Sequence, residues 1–293
     1  MQIASGETKL RRILVGGVFA ALLWCVCAPG VAIGDAPKTS SETLADVKIV
    51  RLDLTATLAD GMPVSIDNPY GDVRLRFGGY QHVLEIHAVA QEPDAAKPID
   101  LQPAVESDRY QISPRLPAGT LLADGQRLDL VVFVPLGHAV QVRTERGSIE
   151  SRSVRADLDL QSSAGNIAVR GTRGRIQART GVGSIEASLG PAPAGSQQLL
   201  STTTGNIILA VTDDVDARLE MATSSVFATE YSLQVTPQPG QEPNKTAVAV
   251  VGKEQANIRI QSRRGEIRLL RWIGFTSSDE ESDATEGAES KSD

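Results

Sequence analysis

Residues 147–187 read GSIESRSVRADLDLQSSAGNIAVRGTRGRIQARTGVGSIEA, and one element recurs in them: glycine, a polar residue, then Ile. It occurs as Gly147-Ser148-Ile149, Gly165-Asn166-Ile167, Gly174-Arg175-Ile176 and Gly183-Ser184-Ile185, with steps of 18, 9 and 9 residues between the glycines. It returns at Gly205-Asn206-Ile207 and Gly265-Glu266-Ile267, and Gly71-Asp72-Val73 is a variant of it. A fixed period marks a repeat architecture. The step of 9 is half of 18, so each unit has two similar halves.

Between the glycines, apolar residues stand two apart: Val140/Val142, Leu158/Leu160, Ile167/Val169, Ile176/Ala178, Ile185/Ala187, Ile207/Leu209 and Ala217/Leu219. On a strand, residues two apart share a face. These pairs predict an all-β fold, a single-stranded β-solenoid (β-helix-like) of short strands with glycine-containing turns. An antiparallel β-sandwich is the alternative, but it needs hairpins, and an 18-residue repeat is too regular for ordinary hairpin loops. Stacked in register, Ile149, Ile167, Ile185, Ile207 and Val226 form one ladder, with Ile258/Ile260 and Ile267/Leu269 closing the array. Glycine then makes the sharp turn before each strand, and Ile fills the core. The apolar run Leu128–Val134 reads as a strand buried on both faces.

The ends set the compartment. Lys9, Arg11 and Arg12 precede an apolar stretch from Ile13 to Val26, and Gly30-Val31-Ala32 supplies small residues for cleavage after Ala32. This is the pattern of a secretory signal peptide over 1–32, and its apolar segment is shorter than the ~20 residues of a membrane span. Both cysteines, Cys25 and Cys27, lie inside it. The mature chain then has no thiol for a disulfide, a metal or a nucleophile. A linker over 33–43, a β domain over 44–275 and a disordered acidic tail over 276–293 complete the organisation. The tail holds seven carboxylates and one Lys and accounts for −6 of the net charge of −7. Residues 33–278 are near neutral at −3, and nothing argues for nucleic acid as a partner. The chain is expected in the periplasm or at the cell surface, with no transmembrane helix in its mature form.

Residues of roughly 60–271 resemble the bacterial putative-adhesin domain family of unknown function. The resemblance rests on Asn68-Pro69-Tyr70-Gly71-Asp72-Val73, on Val132-Phe133-Val134-Pro135-Leu136-Gly137 leading into Val142-Arg143-Thr144, and on the repeats from Gly147 to Ile207 and at Gly265. It implies an exported β-solenoid and brings no catalytic residues. The chain departs from the pattern at Ser224-Ser225-Val226, where the glycine is missing.

No catalytic residue, metal site or cofactor is expected. His82 and His87, five apart, are read on one strand and so on opposite sides of it, His138 is read in a turn after Pro135-Leu136-Gly137, and no nucleophile lies beside a base. Asp213, Asp214 and Asp216 form an acidic cluster, on which the alternative reading, a polysaccharide-active β-helix enzyme, would be centred. Arginines are the stronger feature, with eight between Arg143 and Arg179 against four carboxylates. Arg152 and Arg170 stand 18 apart, as do Arg155 and Arg173, so a stack brings each pair together. These four are the candidate binding residues, suited to an anionic envelope polymer or a surface protein. The bland counterpart is a solvated face of alternating Glu and Arg. Trp272, Ile273 and Phe275 read as a cap on the open end.

Overall fold

The computed structural model describes residues 38–44, 47–212 and 214–272. Residues 1–32, read above as a signal peptide, Asp213, Ile273, Phe275 and the acidic tail lie outside the described residues. The described part is all β. Its N-terminal strands are β1 (Lys38–Leu44), β2 (Val47–Thr57), β3 (Val64–Asn68), β4 (Val73–Phe77) and β5 (Val83–Pro93). Two short strands, β6 (Ala104–Glu106) and β7 (Arg109–Ile112), precede β8 (Arg127–Val134). The repeat contributes β9 (Val140–Thr144), β10 (Ile149–Arg152), β11 (Leu158–Ala164), β12 (Ile167–Thr172), β13 (Ile176–Val182), β14 (Ile185–Leu189), β15 (Gln197–Thr204) and β16 (Ile207–Val211). The remainder are β17 (Ala217–Thr223), β18 (Phe227–Thr229), β19 (Gln234–Pro237), β20 (Lys245–Val251), β21 (Ala256–Ser262) and β22 (Ile267–Arg271).

These strands form two mixed sheets of eleven. The first is ordered β1-β2-β5-β8-β4-β10-β12-β14-β16-β22-β18, the second β19-β20-β17-β21-β15-β13-β11-β9-β3-β7-β6. From β9 to β16 the chain alternates between sheets, and each strand pairs in parallel with the strand two before or after it. The half-step of nine residues is therefore the passage from one sheet to the other. Antiparallel pairing, on which the sandwich alternative depended, is confined to the ends: β1 with β2, β2 with β5, β5 with β8, β6 with β7, and β20 with β17 and β19.

Inward residues of both sheets make one apolar core. In the first sheet Val73, Ile149, Ile167, Ile185, Ile207 and Ile267 stand rung on rung, each at most 1% exposed. The second sheet supplies Ile66, Val142, Leu160, Ala178, Leu200, Ile260 and Met221 in the same way. The ladder departs from the expected one at its end. Ile267 follows Ile207, and Phe227, not Val226, is its next neighbour; Val226 is exposed. Nor do β21 and β22 close the array. They return into it, β21 between β15 and β17 and β22 between β16 and β18. The chain between β18 and β21 is long enough to make the β19–β20 hairpin and come back, so spatial order departs from chain order. Ser225, two residues before Phe227, takes the glycine's place in the bend that leads into the edge strand β18.

Two further corrections concern strands. Polar β1 begins at Lys38, inside the stretch read as a linker; it is held by its ladder to β2, which hydrophobic patterning cannot reveal. In β8 the burial alternates, with Arg127, Asp129, Val131 and Phe133 half-exposed, because no other layer among the described residues packs on the outer face of the sheet.

The positive φ expected of the glycines is present at Gly174, at +143°, and at Gly183 and Gly205, at +150°, but Gly147, Gly165 and Gly265 are not left-handed. What all six share is stacking. A Cβ on Gly147 would lie 1.8 Å from the carbonyl oxygen of Gly71, on Gly165 2.2 Å from that of Gly147, and on Gly265 1.8 Å from that of Gly205. The obstacle is backbone, so it has no side chain to swing away.

Beside the glycines runs a buried ladder of hydroxyls. Ser162 donates to the Gly147 carbonyl at 3.0 Å, Thr180 to Gly165 at 2.8 Å, Thr202 to Gly183 at 2.9 Å, Ser262 to Gly205 at 2.8 Å and Thr223 to Gly265 at 2.6 Å. Each reaches the glycine carbonyl of the neighbouring repeat, which has turned away from the strand ladder. Thr180→Val keeps the shape and removes that donor. It is expected to cost about 1–3 kcal/mol, the penalty of a buried acceptor left unmade, while Thr180→Ser stays near the wild type in urea unfolding. Equal loss in both variants would show that the hydroxyl is not what matters. The polar middle residues of the repeat join the same network. Asp72 accepts from the Ser148 N–H at 2.8 Å, Asn166 from Ser184 at 2.8 Å and Asn206 from Glu266 at 2.9 Å.

Candidate functional site

Parallel strands in register place equivalent outward residues side by side, about 4.8 Å apart. On the first sheet one such row runs Phe133, Arg76, Arg152, Arg170, Ser188, Ala210, Leu270. The next row runs Val131, Arg74, Glu150, Ala168, Glu186, Ile208, Arg268. The face therefore changes character along its length, from arginines at β4, β10 and β12 to apolar groups at β16 and β22. Arg152, Arg170, Glu186, Ile208, Leu270 and Trp272 line a groove of about 390 Å³ there.

The arginines are crowded around too few carboxylates. Glu150 lies 3.2 Å from Arg76, 3.2 Å from Arg152 and 4.0 Å from Arg74. Arg170 holds Glu186 at 2.8 Å. Four guanidiniums thus face two carboxylates, leaving a local charge of +2. Burial pushes the Glu150 carboxyl upward, but its hydrogen bond to Arg76 and the charges of Arg76, Arg152 and Arg74 outweigh that and hold it below its ordinary value. The hydrogen bond and charge of Glu186 raise Arg170. Glu150 stays ionised on the acid side of the usual carboxylate range, so its own pairs with Arg76, Arg152 and Arg74 persist as the pH falls.

The four arginines singled out from the sequence divide into two pairs. Arg152 and Arg170 meet on adjacent strands as the spacing predicts. Arg155 and Arg173 fall in the turns beyond the strands. The Arg155 guanidinium lies 5.0 Å from the Phe77 ring centre and 5.6 Å from that of Tyr80, and donates to the Tyr80 hydroxyl at 2.5 Å. Its charge is thereby committed to two aromatic rings. Arg173 is exposed, with its backbone N–H on the Val154 carbonyl at 2.9 Å. Trp272 does not cap an end. Because β22 is internal, the indole borders the groove, and the backbone N–H of Trp272 donates to the Val211 carbonyl at 2.8 Å. Ile208 and Leu270 were missed, although each breaks the period of two: Ile207-Ile208-Leu209 and Leu269-Leu270 put an apolar residue at an outward position.

Other candidates carry less. A groove of about 530 Å³ on the second sheet is lined by Asp67, Arg143, Glu145 and Arg179, so its charges cancel. His82 precedes β5, and its Nδ1 lies 3.1 Å from Nε2 of the buried His138, whose Nδ1 is 2.9 Å from the Met62 carbonyl. His87 pairs with Asp53 at 2.7 Å. Asp216 accepts from the Lys253 N–H and so serves a turn. Among the described residues no three His, Cys, Asp or Glu side chains gather as a metal site would need, and no helix is long and apolar enough to cross a membrane.

No protein-family description matches this chain, and no curated protein matches it. Among solved structures it is similar to a "putative cell adhesion protein" from Clostridium sporogenes, at 9% identity and a TM-score of 0.45, over 81% of this chain and 100% of that one. It is also similar to a "putative adhesin" from Bacteroides fragilis, at 10% identity and a TM-score of 0.37, over 75% and 96% of the two chains. At these identities and scores neither likeness assigns a family, a ligand or a role.

Proposed function

We propose that this is an exported, non-catalytic, adhesin-like binding module of the bacterial envelope. Its strands wind as a two-sided β-solenoid, one repeat per turn. Its contact surface is the outer face of the first sheet, and its partner is an anionic envelope polymer, met first by Arg76, Arg152 and Arg170. The observation that supports this is the unequal charge there, three stacked guanidiniums and a fourth beside them over two carboxylates. Two of these positive charges are uncompensated in a chain whose net charge is −7, so attraction to a polyanion would have to be local. Guanidiniums in a row suit carboxylates or phosphates presented along a chain.

Heparin-agarose supplies the probe, with plain agarose as the control. The protein is expected to be retained on heparin at low ionic strength and released as salt shortens the Debye length to about 10 Å near 0.1 M. The double variant Arg152→Glu/Arg170→Glu is expected to pass through. Retention that ignores salt, or survives the double reversal, would remove this face as the contact surface.

A further inference from the structure

The arginine face has a second anionic candidate within the same chain. The geometry points to the segment Asp279–Asp293 as an occupant of the first-sheet groove, lying over Arg170 and Arg152 when no external polymer is bound. The idea rests on the arginine face as a contact surface, and it adds a competitor for that face.

Three observations carry it. The first is where the described chain stops: Trp272 itself lines the groove, beside Leu270 and Ile208. The second is reach. Six residues separate Trp272 from Asp279, a span of up to roughly 25 Å when extended. Trp272 follows β22, its backbone N–H on the end of β16, and Arg170, Arg152 and Arg76 lie three, four and five strands away. At about 4.8 Å per strand these are roughly 14, 19 and 24 Å. The third is charge. The segment carries Asp279, Glu280, Glu281, Asp283, Glu286, Glu289 and Asp293 against Lys291, while Arg152 and Arg170 in the groove, with Arg76 and Arg74 beyond it, exceed Glu150 and Glu186 by two.

Tethering makes weak pairing sufficient. A short linker gives an effective concentration on the order of millimolar, so a contact with a millimolar Kd already leaves the groove about half occupied. An external polyanion then meets only the open fraction, and its apparent affinity falls in proportion. Exposed ion pairs of this kind are individually weak and screened by salt, so the occupant remains displaceable. A folded-in apolar segment would not be.

Two measurements on the full chain test this. In the first, Arg170→Lys and, separately, Arg152→Lys place an amine in the groove, and carbodiimide couples amines to carboxylates in contact with them. Peptide mapping is expected to find the new amine linked within one molecule to the 279–289 carboxylates. Links from these carboxylates only to lysines elsewhere, or none, would overturn the proposal. In the second, the seven acidic residues of the segment are changed to their amides. Heparin affinity is expected to rise roughly two-fold or more, and the rise should vanish in the Arg152→Glu/Arg170→Glu background. An equal rise in both backgrounds would mean a general charge effect and would also overturn it. The two readings fail separately. Coupling without heparin binding keeps the internal occupant and removes the polymer, whereas salt-sensitive heparin binding at the groove without coupling does the reverse.

Discussion

Gly147→Ala is expected to destabilise the fold by roughly 4 kcal/mol or more, in the range reserved for a steric or core defect. For a domain of this size that is a fall of about 8–16 °C in Tm. The added methyl would sit 1.8 Å from the Gly71 carbonyl oxygen and 2.5 Å from its carbon. Both are backbone atoms of the turn that leads into β4, whose register is set by ladders on either side, so relief means shifting the entry of β4 away from β10. Because Gly147 is not left-handed, backbone torsion does not confound the result. Gly190→Ala is the control. Its nearest obstacle is the Thr212 hydroxyl at 3.9 Å, and the change is expected to stay within about 0.5 kcal/mol. Thermal unfolding followed by circular dichroism compares them, and a Gly147→Ala protein as stable as the control would refute the stacked-glycine account.

Ile185→Asp is expected to prevent folding. Ile185 is fully buried, with Ile167 on one side and Ile207 on the other. The substitution removes an Ile side chain, worth about 2–5 kcal/mol when cut to Ala. It also brings in a carboxyl with no partner in an apolar row, at a further cost of several kcal/mol or a proton taken up to avoid it. Arg170→Glu, on an outward position of the adjacent strand, loses an exposed ion pair and gains Glu186 as a like-charged neighbour. That is expected to cost about 1 kcal/mol or less. Urea unfolding of the two variants decides the inward and outward assignment. Comparable losses would mean that the faces are reversed or that the sheet is not laid out this way.

The repeat was legible where position alone decides burial. Ile at the third place of each element, apolar residues two apart and the half-step of nine predicted which side chains face the core, because a strand has no other way to separate two chemistries. Arg152 beside Arg170 followed from the same 18-residue step. The hydroxyls three residues before four of the glycines, at Ser162, Thr180, Thr202 and Ser262, were equally visible in the sequence. Their meaning was not, since these four act on the carbonyl that the neighbouring repeat presents, whereas Thr144 donates to Gly147 of its own repeat.

Chain order misled wherever pairing is non-local. Nothing in the residues 224–272 says that β21 and β22 re-enter the sheets, since a strand with two free edges pairs with whichever edges the turns bring to it. That re-entry moves Trp272 from an end to the border of the groove. It also makes Ile267 the successor of Ile207. Arg155 shows the same limit: its spacing from Arg173 is right, but Phe77 and Tyr80, distant in sequence, claim its charge.

The amino-acid sequence by itself determined an all-β repeat with Ile inward, arginine outward and glycine two places before each Ile, because these depend on local periodicity. The tertiary structure alone decided which strands are neighbours at the two ends, why the glycines admit no Cβ, and which arginines keep uncompensated charge. Those depend on what the next strand places within a few ångströms, and the neighbour in space is not the neighbour in the chain.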